Sequence, residues 1–245
     1  MSLLPSRAAC RRALTAVAFS LALVPASASV HVPRGQRAEA SAGSVGLPKR
    51  GSAEDPARMR ARRRLAQGGQ GTYIREMLLQ RDSALARWPD RRGVPLRVWV
   101  QPVAALDDWN VAYVREVRAA FREWDALRLP VRFAFVRDSA RADVHVSFID
   151  RFRGPISGRT KWVRDDDWWI TDGDIVLATH HRNGEVLDAD AMRAMTLHEV
   201  GHLLGLDHTA DGANIMAPRV RVRSLSSADR ATVRLLYALP AGAIR

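Results

Sequence analysis

The chain has 245 residues, of which 47% are hydrophobic and 26% charged, a balance that excludes a disordered or fibrous protein and provides for one globular domain with a tail. Its formal net charge of +12 raises the question of a nucleic-acid partner. The charge is uneven, however: residues 29–71 carry nine basic and three acidic side chains, and residues 72–245 retain only +3, which argues against a nucleic-acid or cell-surface binder driven by bulk charge.

Arg7, Arg11 and Arg12 precede an apolar run from Ala13 to about Ala26, and Ala26-Ser27-Ala28 supplies the small residues of a cleavage site. Residues 1–28 read as a signal peptide, so an exported protein, secreted or periplasmic, is expected. The apolar run is shorter than the ~20 residues of a spanning helix, and no stable membrane span is expected. Arg11-Arg12 is only a weak twin-arginine signal, because the residues after it fit that pattern poorly. Cys10, the single cysteine, leaves with the leader. The remaining chain then holds neither a disulfide nor a thiol.

Residues 29–71 are rich in Gly, Pro, Ser, Ala and Arg without an apolar period, and read as a flexible basic linker or propeptide. Within them "RARRRLA", Arg60 to Ala66, reads as a solvated charge run that a processing protease could also cut. In residues 72–92, Tyr73, Ile74, Met77, Leu78, Leu85 and Trp88 form a helical stripe closed by Pro89 and Gly93. Either a propeptide helix or an N-terminal strap packed on the domain would give that pattern.

Residues 93–245 form the expected domain. "LRVWV", Leu96 to Val100, alternates as a half-buried strand. A helix capped near Asp107 or Asp108 follows, with Val111, Val114, Val117, Phe121 and Trp124 on one face. Val131–Val136, Ala142–Phe148, Ser157–Val163 and Asp172–His180 are further strands, the last two around a polar loop at Asp165–Asp167. The order strand, helix, strand, strand predicts an α+β fold with a mixed sheet and a crossover helix on one face.

Asp188 then starts a helix running into "HEVGHLLGLDH", His198 to His208. Residues four apart on a helix lie ~40° apart around the axis and ~6 Å along it, so His198 and His202 can address one atom with Glu199 beside them. Two such histidines suit a tetrahedral zinc with nitrogen ligands at ~2.0–2.1 Å. His208 would lie ~9 Å further along a continuing helix and can join only if the chain turns at Gly205, a residue type that accepts positive φ. Three histidine ligands leave a fourth position for water, as in a catalytic site.

H-E-x-x-H-x-x-G-x-x-H followed by "NIMAP", Asn214 to Pro218, resembles the metzincin metalloproteases, and Asp207, "HTADGANIMAP" and "LSSADRATVRLLY" resemble their matrixin branch. The resemblance spans about Leu96 to Tyr237. It implies a twisted five-stranded mixed sheet with a backing helix, an active-site helix and a C-terminal helix. By matching position it also implies His198, His202 and His208 as ligands of one catalytic zinc, Glu199 as general base and acid, and Met216 as the turn methionine beneath the metal. Pro218, Arg219 and Val220, with the residues up to Arg221, would wall the pocket for the side chain after the scissile bond. A polypeptide substrate would lie extended along an edge strand at Ser157–Val163. A monomer is expected.

Departures from the animal matrixins are visible as well. Without a cysteine, thiol latency is unavailable, and Ile149–Arg159 lacks the histidines that would hold a second zinc. Asp165, Asp166, Asp167, Asp172 and Asp174 have no recognised calcium spacing and read as an exposed acidic loop. His145, His180 and His181 read as structural or solvated residues. The tryptophans between Trp88 and Trp169 read as core or rim, with Trp168-Trp169 placed beside the cleft. A zinc-binding, non-proteolytic interaction protein is the alternative, and Glu199, which mere binding does not need, argues against it.

Overall fold

A computed structural model describes residues 56–81 and 83–243. The leader expected at residues 1–28 lies outside the described residues, as does most of the segment expected to be a linker. The part of that segment that is described is helical. Pro56–Gly68 forms α1, with proline at the first helical position and good helix formers, Ala and Arg, after it. Ala61 is buried, Leu65 packs on the core, and Arg64 donates to Ala238 O. Only Ala61 of this helix is buried, so it carries no apolar period and its composition reads as linker.

Residues 72–92 pack on the domain. Helix α2, Ile74–Gln80, and the two-residue strand β1, Ala84–Leu85, carry Tyr73, Ile74, Met77, Leu85 and Trp88 into the core, each at most 3% exposed. β1 pairs antiparallel with β7, Gly242–Ala243.

The main sheet contains β2 (Leu96–Val100), β3 (Phe133–Val136), β4 (Val144–Ile149), β5 (Gly158–Arg164) and β6 (Ile170–Ala178), in the spatial order β3-β2-β4-β6-β5. All neighbours are parallel except β5, which runs antiparallel to β6 along one edge. Alternation sets one face: Leu96, Val98 and Val100 of β2 and Val144, Val146 and Phe148 of β4 are buried, while the residues between them are wetter. Helix α3, Ala112–Asp125, is the crossover between β2 and β3, and covers both. It begins later than its sequence suggests. Asp108 adopts φ 58° and turns its carboxylate toward His180, leaving Asn110 Oδ1 to accept the Ala112 N–H at 2.9 Å.

Helix α4, Ala189–Leu203, lies over β5 and β6 on the same face and packs against α3. Asp188 caps it by accepting from Ala191 N. Helix α5, Ser227–Ala238, opens on a capping box between Ser226 and Asp229. Among the described residues no helix is long and apolar enough to cross a membrane.

One contact at the heart of α4 requires glycine. Met216 is fully buried, and a methyl group at Gly201 would collide with its sulfur and stand 3.3 Å from Trp124 Cζ2. Trp124 is itself fixed by donating to Leu197 O at 3.0 Å. A mid-helix glycine normally costs ~1 kcal/mol relative to alanine. Here Gly201→Ala is expected to destabilise by ~1–3 kcal/mol through overpacking, the reverse of the helix-propensity trend. Urea unfolding measures it, and an unchanged or raised midpoint would show that Met216 moves aside freely.

Candidate active site

The last turn of α4 ends where its carbonyls find buried donors. Trp88 Nε1 donates to Leu203 O at 2.8 Å and Tyr237 Oη to Leu204 O at 3.1 Å, satisfying groups that a helix end leaves open. Gly205 then takes φ 100°, in the left-handed region, and the chain reverses. A side chain there would collide with Ala86 O, just after β1, so glycine serves both the turn and the close approach.

The reversal brings His208 back to His198 and His202. Their Nε2 atoms form a triangle with sides of 3.1, 3.2 and 3.2 Å. His198 Nδ1 lies 2.7 Å from Ile215 O and His202 Nδ1 2.8 Å from Leu206 O. A carbonyl accepts only, so each Nδ1 carries the proton and each Nε2 presents a lone pair. Burial pushes the imidazolium forms down, to about 4 for His198 and about 3 for His202, and lowers His208 too. Three neutral imidazoles thus meet at one place, and on His198 and His202 the bond at Nδ1 leaves the lone pair at Nε2.

That donor set fits a small divalent cation. Nitrogen ligands ~2.0–2.1 Å from a tetrahedral zinc stand about 3.3 Å apart, close to the observed triangle. Without a cation the facing lone pairs would only repel. Backbone carbonyls holding the far ring nitrogens are the usual outer support of histidine ligands.

Glu199 sits beside this triangle, 4% exposed. Its Oε2 accepts from the Thr160 hydroxyl on β5 at 2.6 Å. Burial raises its carboxyl to about 7, against the lowering effect of the Thr160 hydrogen bond. Gly158 makes room for it: a Cβ there would lie 2.5 Å from Glu199 Oε1 and 2.8 Å from its Cγ. The motif leaves Thr160 and Gly158 unmarked, since both look like ordinary strand residues; their only signal is membership of the expected edge strand.

Met216 lies in the loop beneath, tied to the histidine loop by Thr209 N donating to Met216 O at 3.1 Å. Asp229, fully buried at the start of α5, accepts from Ile215 N at 2.9 Å, Ser226 N at 2.8 Å and Tyr73 Oη at 3.1 Å. The same Ile215 receives the His198 proton on its carbonyl. Helix α2 holds the other side of the loop: Arg81 pairs with Asp207, Gln80 Nε2 donates to His208 O at 3.2 Å, and Glu76 accepts from Ala210 N at 2.8 Å.

A cleft of about 710 Å³ opens over the triangle between β5, α4 and the segment Pro218–Arg223. Pro218, Arg219 and Val220 line it, as do the three histidines and Glu199. His181 also reaches it, whereas His180 is buried against Asp150 and Asp108. His145 contacts Trp99 and Asp174. Trp168 and Trp169 are not cleft residues: Trp168 O accepts from Arg87 N, and Trp169 stacks under the Arg87 guanidinium 4.6 Å from its ring centre. The bulged end of β5 turns them toward Arg87 and away from the cleft. Asp165, Asp166 and Asp167 are exposed.

The family model for Matrixin, peptidase family M10, matches residues 103–238. Curated relatives include Metalloendoproteinase 1 of Glycine max, 25% identical over 159 residues, covering 56% of this chain and 48% of that protein. Metalloendoproteinase 1-MMP of Arabidopsis thaliana is 29% identical over 141 residues, covering 49% of this chain and 36% of that protein. Metalloendoproteinase 5-MMP of the same plant is 26% identical over 151 residues, covering 55% and 39%. The chain spans less than half the length of each of these relatives. The match covers more than half of the chain and includes the histidine triangle, the buried glutamate and the methionine loop, and the chain belongs to the matrixin family.

Proposed function

We propose that this chain is an exported zinc-dependent endopeptidase acting as a monomer on extended polypeptides. The observation that carries the reading is the meeting of three neutral imidazoles with one buried carboxylate beside an unpaired sheet edge. His198, His202 and His208 would hold the metal. Bound there, zinc supplies Lewis acidity: it makes water a nucleophile near neutral pH and polarises a peptide carbonyl. Glu199 takes the proton of the attacking water, and a carboxyl held near neutrality can return it to the leaving amine. Thr160 and Gly158 fix where that carboxylate stands. Met216 supports the histidine loop from below, and Gly205 gives it its return path.

Among the described residues β5 pairs with β6 on one side only, and its Gly158–Thr160 end lines the cleft. Its free edge can hydrogen-bond a substrate main chain by strand addition, which holds the peptide extended across Glu199. Pro218, Arg219 and Val220 wall the pocket opposite. Residues 72–92 belong to the working enzyme as a strap, supported by the burial of Tyr73 and Trp88 and by the bonds from Glu76, Gln80 and Arg81 to the loop carrying His208.

Three outcomes are expected. Glu199→Ala is expected to lower peptide cleavage by about 10²-fold or more, and a chelator to abolish it reversibly on zinc return. Cleavage that survives both would remove the mechanism, while zinc binding without cleavage of any peptide library would favour a binding protein. Gly158→Ala is expected to leave the unfolding midpoint nearly unchanged yet cut kcat by up to ~10²-fold, because it displaces the base rather than the backbone. N-terminal sequencing of exported protein is expected to place the mature terminus before Tyr73, and a terminus beyond Trp88 would show that the strap is a removable propeptide.

A further inference from the structure

The cleft is chemically two-layered. Leu187, Ala191, Ala194, Met195, Val220 and Val222 give it an apolar floor. The segment Pro218–Arg223 supplies both layers by alternation: Val220 and Val222 pack against the core while Arg219, Arg221 and Arg223 are exposed, and all of these residues line the cleft. Arg159 on β5 adds a fourth guanidinium from the opposite wall, where it lies over the Phe152 ring.

The charge is local to this rim. Residues 72–245 as a whole are nearly balanced, yet the cleft is lined by four arginines against one carboxylate, that of Glu199. Glu199 is already engaged by Thr160. Arg223 pairs with Asp188, but among the described residues no carboxylate pairs with Arg159, Arg219 or Arg221. Three guanidinium groups thus face the cleft without a counter-charge. A concave site lined by one sign of charge concentrates its field on whatever enters, and arginine presents a fork suited to carboxylates.

Resting on the peptidase reading of this site, we propose that the cleft selects acidic polypeptides, in which an apolar side chain entering the pocket is flanked by aspartate or glutamate. The apolar floor takes the first, and the arginine rim takes the second. An extended chain projects successive side chains to opposite sides, so a residue seated on the floor has neighbours directed toward the walls.

Two matched peptide sets test this, sharing one central apolar residue and carrying either glutamate or lysine at the flanking positions. The acidic set is expected to be cut with kcat/KM about tenfold higher or more at low salt, with the ratio shrinking as salt rises. Arg219→Glu with Arg221→Glu is expected to reverse the ratio, and Arg219→Lys with Arg221→Lys to keep its direction. Binding is read separately by fluorescence anisotropy of the same peptides on the Glu199→Ala protein. A ratio near one in the wild type, or an unchanged ratio in the charge-reversed protein, overturns the proposal. Selective binding of the acidic set without cleavage of either sustains the arginine rim and overturns the peptidase reading, whereas cleavage and binding that both ignore charge do the opposite.

Discussion

Three uncharged imidazoles bring their Nε2 atoms within 3.1–3.2 Å of one another, an arrangement that a polypeptide holds only by bracing it from outside. The bracing starts at the far ring nitrogens, where Ile215 O and Leu206 O accept the protons of His198 and His202. It continues outward to Asp229, which fixes Ile215 from the start of α5 and receives the Tyr73 hydroxyl from just before α2. Each layer fixes the orientation of the one inside it. The helix α4, the methionine loop, α5 and the segment around α2 are thereby parts of one support.

The carboxylate is positioned by a different element. Glu199 belongs to α4, but β5 determines its place through the Thr160 hydroxyl and the space left at Gly158. Among the described residues the same strand has an unpaired edge at the cleft. One strand thus both places the carboxylate and carries the free edge, which under the proposed peptidase reading would couple the register of a bound peptide to the position of the proton acceptor. Burial in that corner raises the carboxyl to about 7.

The cleft wall illustrates how a short alternating segment does two jobs. Val220 and Val222 close the core beneath the pocket, and the arginines between them are left to the solvent side. The overall charge of the chain, dominated by residues 29–71, conceals this local imbalance. Net charge therefore describes the molecule poorly at the place where a substrate would meet it.

The parts legible in the amino-acid order are those governed by periods within one element. Apolar spacing of three and four residues marks α3; Asp188 marks the start of α4, where the four-residue spacing places His198 and His202 on one side; alternation marks β2, β4 and β5; Ser226 and Asp229 mark the start of α5. Gly205 could be assigned its turn because the third histidine has no other way back. Contacts between distant segments leave no such trace. Thr160 stands 39 residues before Glu199, Tyr73 lies 156 before Asp229, and Arg81 lies 126 before Asp207, and in each case both partners look ordinary in their own neighbourhoods. The arginine-rich α1 and the turning away of Trp168 and Trp169 escaped composition for the same reason. Helical and strand periods are local rules and can be read along a chain, whereas which side chain braces which ligand depends on how the elements pack, and that packing is resolved only in three dimensions.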